Sequence, residues 1–104
     1  MNIQFNTDHN VSGKEEHVTS LTEFITKGLS RFEERITNVE VHLTDENGSK
    51  NTPNDKRCVI EVRLNGLPPI AVTNHDNTHE QVVRGAVDKM KSALDSAIGR
   101  LRDK

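Results

Sequence analysis

The stretch Arg57–Leu64, RCVIEVRL, most tightly limits what this chain can become. Cys58, Ile60, Val62 and Leu64 alternate with Val59, Glu61 and Arg63. Side chains on a strand point to opposite faces with a period of two, so this segment has one fully apolar face and one mixed face. Val39, Val41 and Leu43 alternate in the same way with Glu40, His42 and Thr44. Strands of this kind belong to a sheet covered on one side only. The cover has to come from amphipathic helices, and the chain supplies two.

The first helix is expected to begin at the capping box of Ser12 and Glu15, with Ser20 and Glu23 as the later alternative, and to run to about Arg35. Val18, Leu21, Ile25, Leu29, Phe32 and Ile36 fall at three- and four-residue spacing and form one stripe. The second is expected to start near Asn77 or Thr78, where Thr78 and Gln81 fit a capping box. Its apolar face is Val83, Ala86, Val87, Met90, Leu94, Ala97, Ile98 and Leu101, with Met90 as core filler.

A short first strand is expected over Asn2–Asn6, with Ile3 and Phe5 on one face. Asp45–Lys56, with Asn47-Gly48, Pro53 and Asn54-Asp55, reads as a polar, mobile loop. Asn65-Gly66 is a turn signal, and Pro68-Pro69 limits the start of the last strand, expected over Ile70–Thr73. The order is β-α-β-β-β-α. The expected fold is α+β, a four-stranded mixed sheet with two helices packed on one face. The first crossover makes strands one and two parallel, and the remaining strands form an antiparallel meander with RCVIEVRL at its centre.

A chain of 104 residues fits a single domain over 1–104. Apolar residues make up 32% and charged residues 29%, but the apolar residues are periodic, which argues against disorder. The net charge of −2 excludes a generic polyanion binder, so any nucleic-acid role needs a local basic patch. The start MNIQFNTDHN has neither the basic nor the apolar region of a signal peptide, and no apolar run is long enough to span a bilayer. A cytoplasmic protein with no membrane partner is expected.

No catalytic constellation is visible. The chain has no glycine-rich phosphate loop, no HExxH and no CxxC. The single cysteine, Cys58, falls on the core face and reads as a small buried hydrophobe. His75 and His79 straddle a strand-to-helix junction and read as capping or surface residues, and His42 as a solvated residue of the open sheet face. No metal, cofactor or small-molecule substrate is expected.

The charges carry more information. On the last helix Arg84, Asp88, Lys91, Asp95 and Arg102 share a flank on which opposite charges sit at pairing distance. The other flank carries Lys89, Ser92, Ser96 and Arg100, and no acid. On the first helix Arg31 and Arg35 share a flank with Phe24 and Gly28, again without an acid. If those two acid-free flanks face one groove, Arg31, Arg35, Lys89 and Arg100 line it and can meet phosphate. Lys27 and Lys91 are further candidates. The alternative is that each is a solvated surface cation.

The element order, together with ITNVEVHLTDE, KRCVIEVRL and AVDKM in the closing helix, resembles the ribosome hibernation promoting factor and ribosome-associated inhibitor family. DENG, DKRC and GLPPI look like its short single-domain members, without the additional C-terminal domain for ribosome dimerisation. The resemblance implies a stress factor in the decoding-side channel of the small ribosomal subunit. Such a protein binds rRNA through basic residues on the two helices, blocks translation by occupancy, and catalyses nothing. Arg31 and Lys89 match family cations. Gly28, Ser92 and Ser96 stand where other members place Arg or Lys, and THE before the last helix lacks the family's aromatic residue. The competing expectation is a protein-interaction module that kept the fold and lost the ribosome, using a sheet edge or the face with Glu40, His42, Glu61 and Arg63.

Overall fold

A computed structural model describes residues 1–7, 15–45 and 55–102, and their side chains except those of 15–17 and 101–102. The expected cap at Ser12 and most of the Asp45–Lys56 loop lie outside the described residues. The elements are β1 (Asn2–Thr7), α1 (Glu15–Gly28), a 3-10 turn (Ser30–Phe32), β2 (Ile36–Asp45), β3 (Lys56–Leu64), β4 (Leu67–Asp76) and α2 (His79–Arg102). The sheet order is β1-β2-β3-β4. β1 runs parallel to β2, from Asn2 opposite Asn38 to Thr7 opposite Leu43. β2–β3 and β3–β4 are antiparallel. The expected α+β architecture is the one observed.

Alternation decides what is buried. Val39, Val41 and Leu43 of β2 and Cys58, Ile60 and Val62 of β3 are fully shielded from solvent. Ile25 and Leu29 cover them from the first helical segment, and Val83, Val87, Met90 and Leu94 from α2. Each such side chain contributes about 1.5–3 kcal/mol through burial. Edge-strand residues Ile3, Phe5, Ile70 and Val72 are only half-covered.

α2 begins as its capping box predicts, with the Gln81 amide donating to Thr78 Oγ1 at 3.1 Å. Asn74 of β4 faces α2, and its Nδ2 donates to the Val82 carbonyl at 3.0 Å. This brings the amide so close to Gly85 that a Cβ there would lie 2.2 Å from it.

The first helix is shorter than expected. It ends at Gly28 instead of about Arg35, and the chain tightens into the 3-10 turn. Phe32 N–H donates to the Leu29 carbonyl and Glu33 N–H to the Ser30 carbonyl. Leu29 and Phe32, three apart, still face the core, because a 3-10 turn repeats every three residues. Apolar spacing alone therefore fits either helix. The shorter form lets β2 start at Ile36.

β4 is longer than expected and lies at the sheet edge, where proline is tolerated. Val62 pairs with Ile70 but Leu64 with Leu67, so Pro68 and Pro69 occupy a bulge. Gly66 has φ of 79° in the preceding turn, a conformation that favours glycine. No helix among the described residues is long and apolar enough to cross a membrane.

Asp45 and Asp55 are the buried charged residues among those described. Lys56 Nζ lies 3.0 Å from Asp45 Oδ2 and 2.9 Å from Asp55 Oδ1. Asp45 and Lys56 face each other at the last described pair of the β2–β3 ladder, so the ammonium closes that end. The hydrogen bond to Asp55 is the chief reason the Lys56 pKa rises above its ordinary 10.5, against the opposing effect of burial. Lys56→Met removes the cation held between two buried carboxylates and is expected to cost about 3 kcal/mol in urea unfolding. Because the folded-state pKa is raised, the stabilisation by Lys56 is complete below 10.5 and is lost as pH climbs through the higher folded value. The stability gap between wild type and variant should therefore narrow in strongly alkaline buffer, and a gap independent of pH would contradict the charge assignment.

Candidate nucleic-acid interface

The 3-10 turn decides where Arg31 goes. Its guanidinium carbon lies 4.6 Å from the Phe32 ring centroid, a cation–π distance. Phe32 itself is buried, so the platform is fixed. One guanidinium nitrogen of Arg31 donates to Asp95 Oδ2 of α2 at 2.5 Å. The two side chains are 60% and 54% exposed, and an ion pair that open contributes about 0–1 kcal/mol. The pair orients Arg31 more than it stabilises the fold.

Arg35 follows in the turn before β2. Its amide donates to the Phe32 carbonyl, and its carbonyl accepts from the Asn65 amide. Its backbone is thereby tied to the β3–β4 turn. Arg31, Phe32, Glu34, Arg35, Asp95, Ile98 and Gly99 line a cleft of about 280 Å³ between the turn and the last third of α2.

Lys89 is placed differently. Its Nζ donates to the Thr73 carbonyl of β4 at 2.9 Å. Six residues separate Lys89 from Asp95, which at 100° per residue puts them about 120° apart around α2. Arg100 is about 20° from Lys89 and three turns further along. Lys89, Ser92, Ser96 and Arg100 are all exposed. The acid-free flank of α2 therefore exists, but it lies toward β4 and solvent.

The expectation that two acid-free flanks face one groove is overturned. The acid-free flank of the first helical segment meets α2 across the α2 flank that carries Asp88 and Asp95. A Cβ on Gly28 would lie 2.6 Å from Val87 Cγ1 and 3.7 Å from Lys91 Cε. Arg84 sits over the Phe24 ring at 5.1 Å and pairs with Glu80 at 3.1 Å. Asp95 turns to Arg31 instead of to a neighbour on its own helix. The helical wheel failed here because it does not say which flank of α2 meets α1, and the one that does carries Asp95 and not Lys89 and Arg100. Arg31 and Arg35 share one cleft, Lys89 and Arg100 share another flank, Lys91 is half-buried between the helices, and Lys27 is exposed in the last turn of α1.

Sequence reasoning missed three contributors to the cleft, and one of them, Glu34, puts an acid beside Arg31 and Arg35 where none was expected. Asp95 looked like a partner for its own helix, and Gly99 carried no signal beyond being a glycine inside a helix. Elsewhere, burial pushes the Cys58 thiol up to about 12, which removes it as a nucleophile at neutral pH. Among the described residues no three His, Cys, Asp or Glu side chains gather as metal ligands. His42 sits on the open face, 3.7 Å from Glu40.

Gly28 occupies a helix contact, so a cation cannot be restored there without strain. Val87 is fully buried and cannot retreat. Gly28→Arg is expected to cost about 1–3 kcal/mol in urea unfolding. Adding Val87→Ala should give less than the sum of the two single losses. Strict additivity would show that the two positions do not press on each other.

The family profile described as sigma 54 modulation protein / S30EA ribosomal protein matches residues 9–102. Two solved structures are similar. A ribosomal subunit interface protein from Coxiella burnetii superposes with a TM-score of 0.73 at 20% identity, over 95% of this chain and 99% of that one. The N-terminal domain of Thermus thermophilus Protein Y gives 0.67 at 19% identity, over 92% and 98%. At these identities the likeness is one of fold. No curated protein shows a significant match.

Proposed function

Because the chain belongs to the sigma 54 modulation protein / S30EA ribosomal protein family, we propose that it binds rRNA in the decoding-side channel of the small ribosomal subunit and inhibits translation by occupying it. The observation that carries this reading is the family match over nearly the whole chain. The similar fold of a ribosomal subunit interface protein supports it. Occupancy requires no catalytic group. It requires cations, and with a net charge of −2 these have to act locally.

The geometry gives two basic strips on either side of α2 in place of one groove. Arg31 and Arg35 form the first, Lys89 and Arg100 the second. Arg31 carries five N–H donors and Lys89 three, so the bonds to Asp95 and Thr73 leave each with donors for phosphate. An RNA contacting both strips has to straddle α2. Ser92 and Ser96 lie on the second strip and can offer hydroxyls to the backbone.

The second reading, a protein-interaction module, draws on the neutralisation of Arg31 by Asp95 and of Arg84 by Glu80. Sedimentation with purified small subunits separates the two. The protein is expected to pellet with subunits at low salt and to be released as salt rises. Arg31→Glu combined with Lys89→Glu should weaken binding at all salt concentrations and flatten its salt dependence by about 0.7 in logarithmic slope per lost contact. Absence from the pellet at low salt, or binding indifferent to that double charge reversal, would count decisively against the ribosome reading.

A further inference from the structure

We infer that the cleft between the 3-10 turn and the last third of α2 seats one RNA phosphodiester, and that Asp95 holds Arg31 in reserve until the phosphate displaces it. The inference rests on the ribosome-binding reading and assigns a seat and an internal competitor to it.

Four charged groups line the cleft, the cations Arg31 and Arg35 and the acids Asp95 and Glu34. As it stands their formal charges cancel. An anion gains there only if a carboxylate withdraws, and Asp95 is the one already engaged with a cation. Its contact with Arg31 is more than half exposed on both sides, so exchange is cheap. A phosphate offers Arg31 a bidentate, charge-assisted partner in place of a single carboxylate oxygen. Stacking on Phe32 keeps the guanidinium plane in place during the exchange. Arg35 projects from a backbone fixed at both its amide and its carbonyl.

Gly99 supplies an independent observation. A helix interior disfavours glycine relative to alanine, so a helical glycine calls for a reason. Gly28 and Gly85 have one, since a Cβ at either would lie 2.6 Å and 2.2 Å from a neighbour. Among the described residues a Cβ at Gly99 would meet nothing within 4 Å, so packing against them does not require glycine there. Gly99 lies one turn beyond Asp95 on the wall of this same cleft, and the missing side chain leaves room beside the two arginines.

The test measures affinity for purified small ribosomal subunits at one fixed salt concentration. Asp95→Asn keeps the shape and removes the competing charge, and is expected to tighten binding about fivefold. Asp88→Asn changes the net charge equally, outside the cleft, and is expected to leave affinity near the wild-type value. Gly99→Ala is expected to raise the urea midpoint while weakening binding several-fold, a combination that a purely structural role for Gly99 does not produce. Equal tightening by Asp88→Asn and Asp95→Asn, or wild-type affinity in Gly99→Ala, would overturn the inference. Inorganic phosphate alone, titrated while the Arg31 side-chain resonance is followed by NMR, should leave that resonance unmoved. A saturable shift would assign the cleft to a free anion and overturn the RNA assignment. Failure of the wild type to bind subunits at all removes the ribosome reading and the inference together. Binding that ignores both Asp95 and Gly99 removes the inference alone.

Discussion

The register between β2 and β3 governs the rest of the molecule. These two strands bury Val39, Val41, Leu43, Cys58, Ile60 and Val62 on a single face. A slip of one residue would turn that whole set toward water and bring Glu40, His42, Glu61 and Arg63 under the helices. At the open end of the hairpin, Lys56 holds Asp45 and Asp55 together and marks the correct pairing with charge. Breaking an ionic contact in such a place costs more than forming it gains, because each charge had to leave water to reach it.

With the sheet fixed, α2 becomes the divider of the surface. Its acid-bearing flank is where the first helical segment docks, through Gly28 against Val87 and Arg31 against Asp95. Its neutral and basic flank is left to solvent and to the edge strand β4. The glycine at position 28, where the family resemblance suggested a missing cation, is thereby explained by close helix packing. A bulky residue there would push the two helices apart and carry Arg31 away from Asp95.

Much of this was legible in the sequence. Period-two alternation identified β2 and β3, the Thr78–Gln81 box identified the start of α2, and the apolar stripes identified the inner face. What stayed hidden was whatever period cannot encode. Leu29 and Phe32 stand three apart in an α-helix and in a 3-10 turn alike, so the end of α1 was misread. The two prolines of β4 concealed an edge strand that absorbs them in a bulge. Lys56 and its two carboxylates read as loop polarity, because nothing local in a polar segment says that two of its acids are buried. The cleft needed two elements distant in sequence to be brought together, and helical wheels drawn one helix at a time cannot do that.

The bond from Lys89 to the Thr73 carbonyl has a further effect on the sheet. β4 is an outer strand, and outer strands present backbone groups to which foreign chains can add. Lys89 acts as a guard at one of those positions. With two further N–H donors on the same ammonium, it can meet an anion without giving that carbonyl up. The helix flank and the strand border are thus joined through one side chain, and the helix closes a position that an added strand would otherwise use.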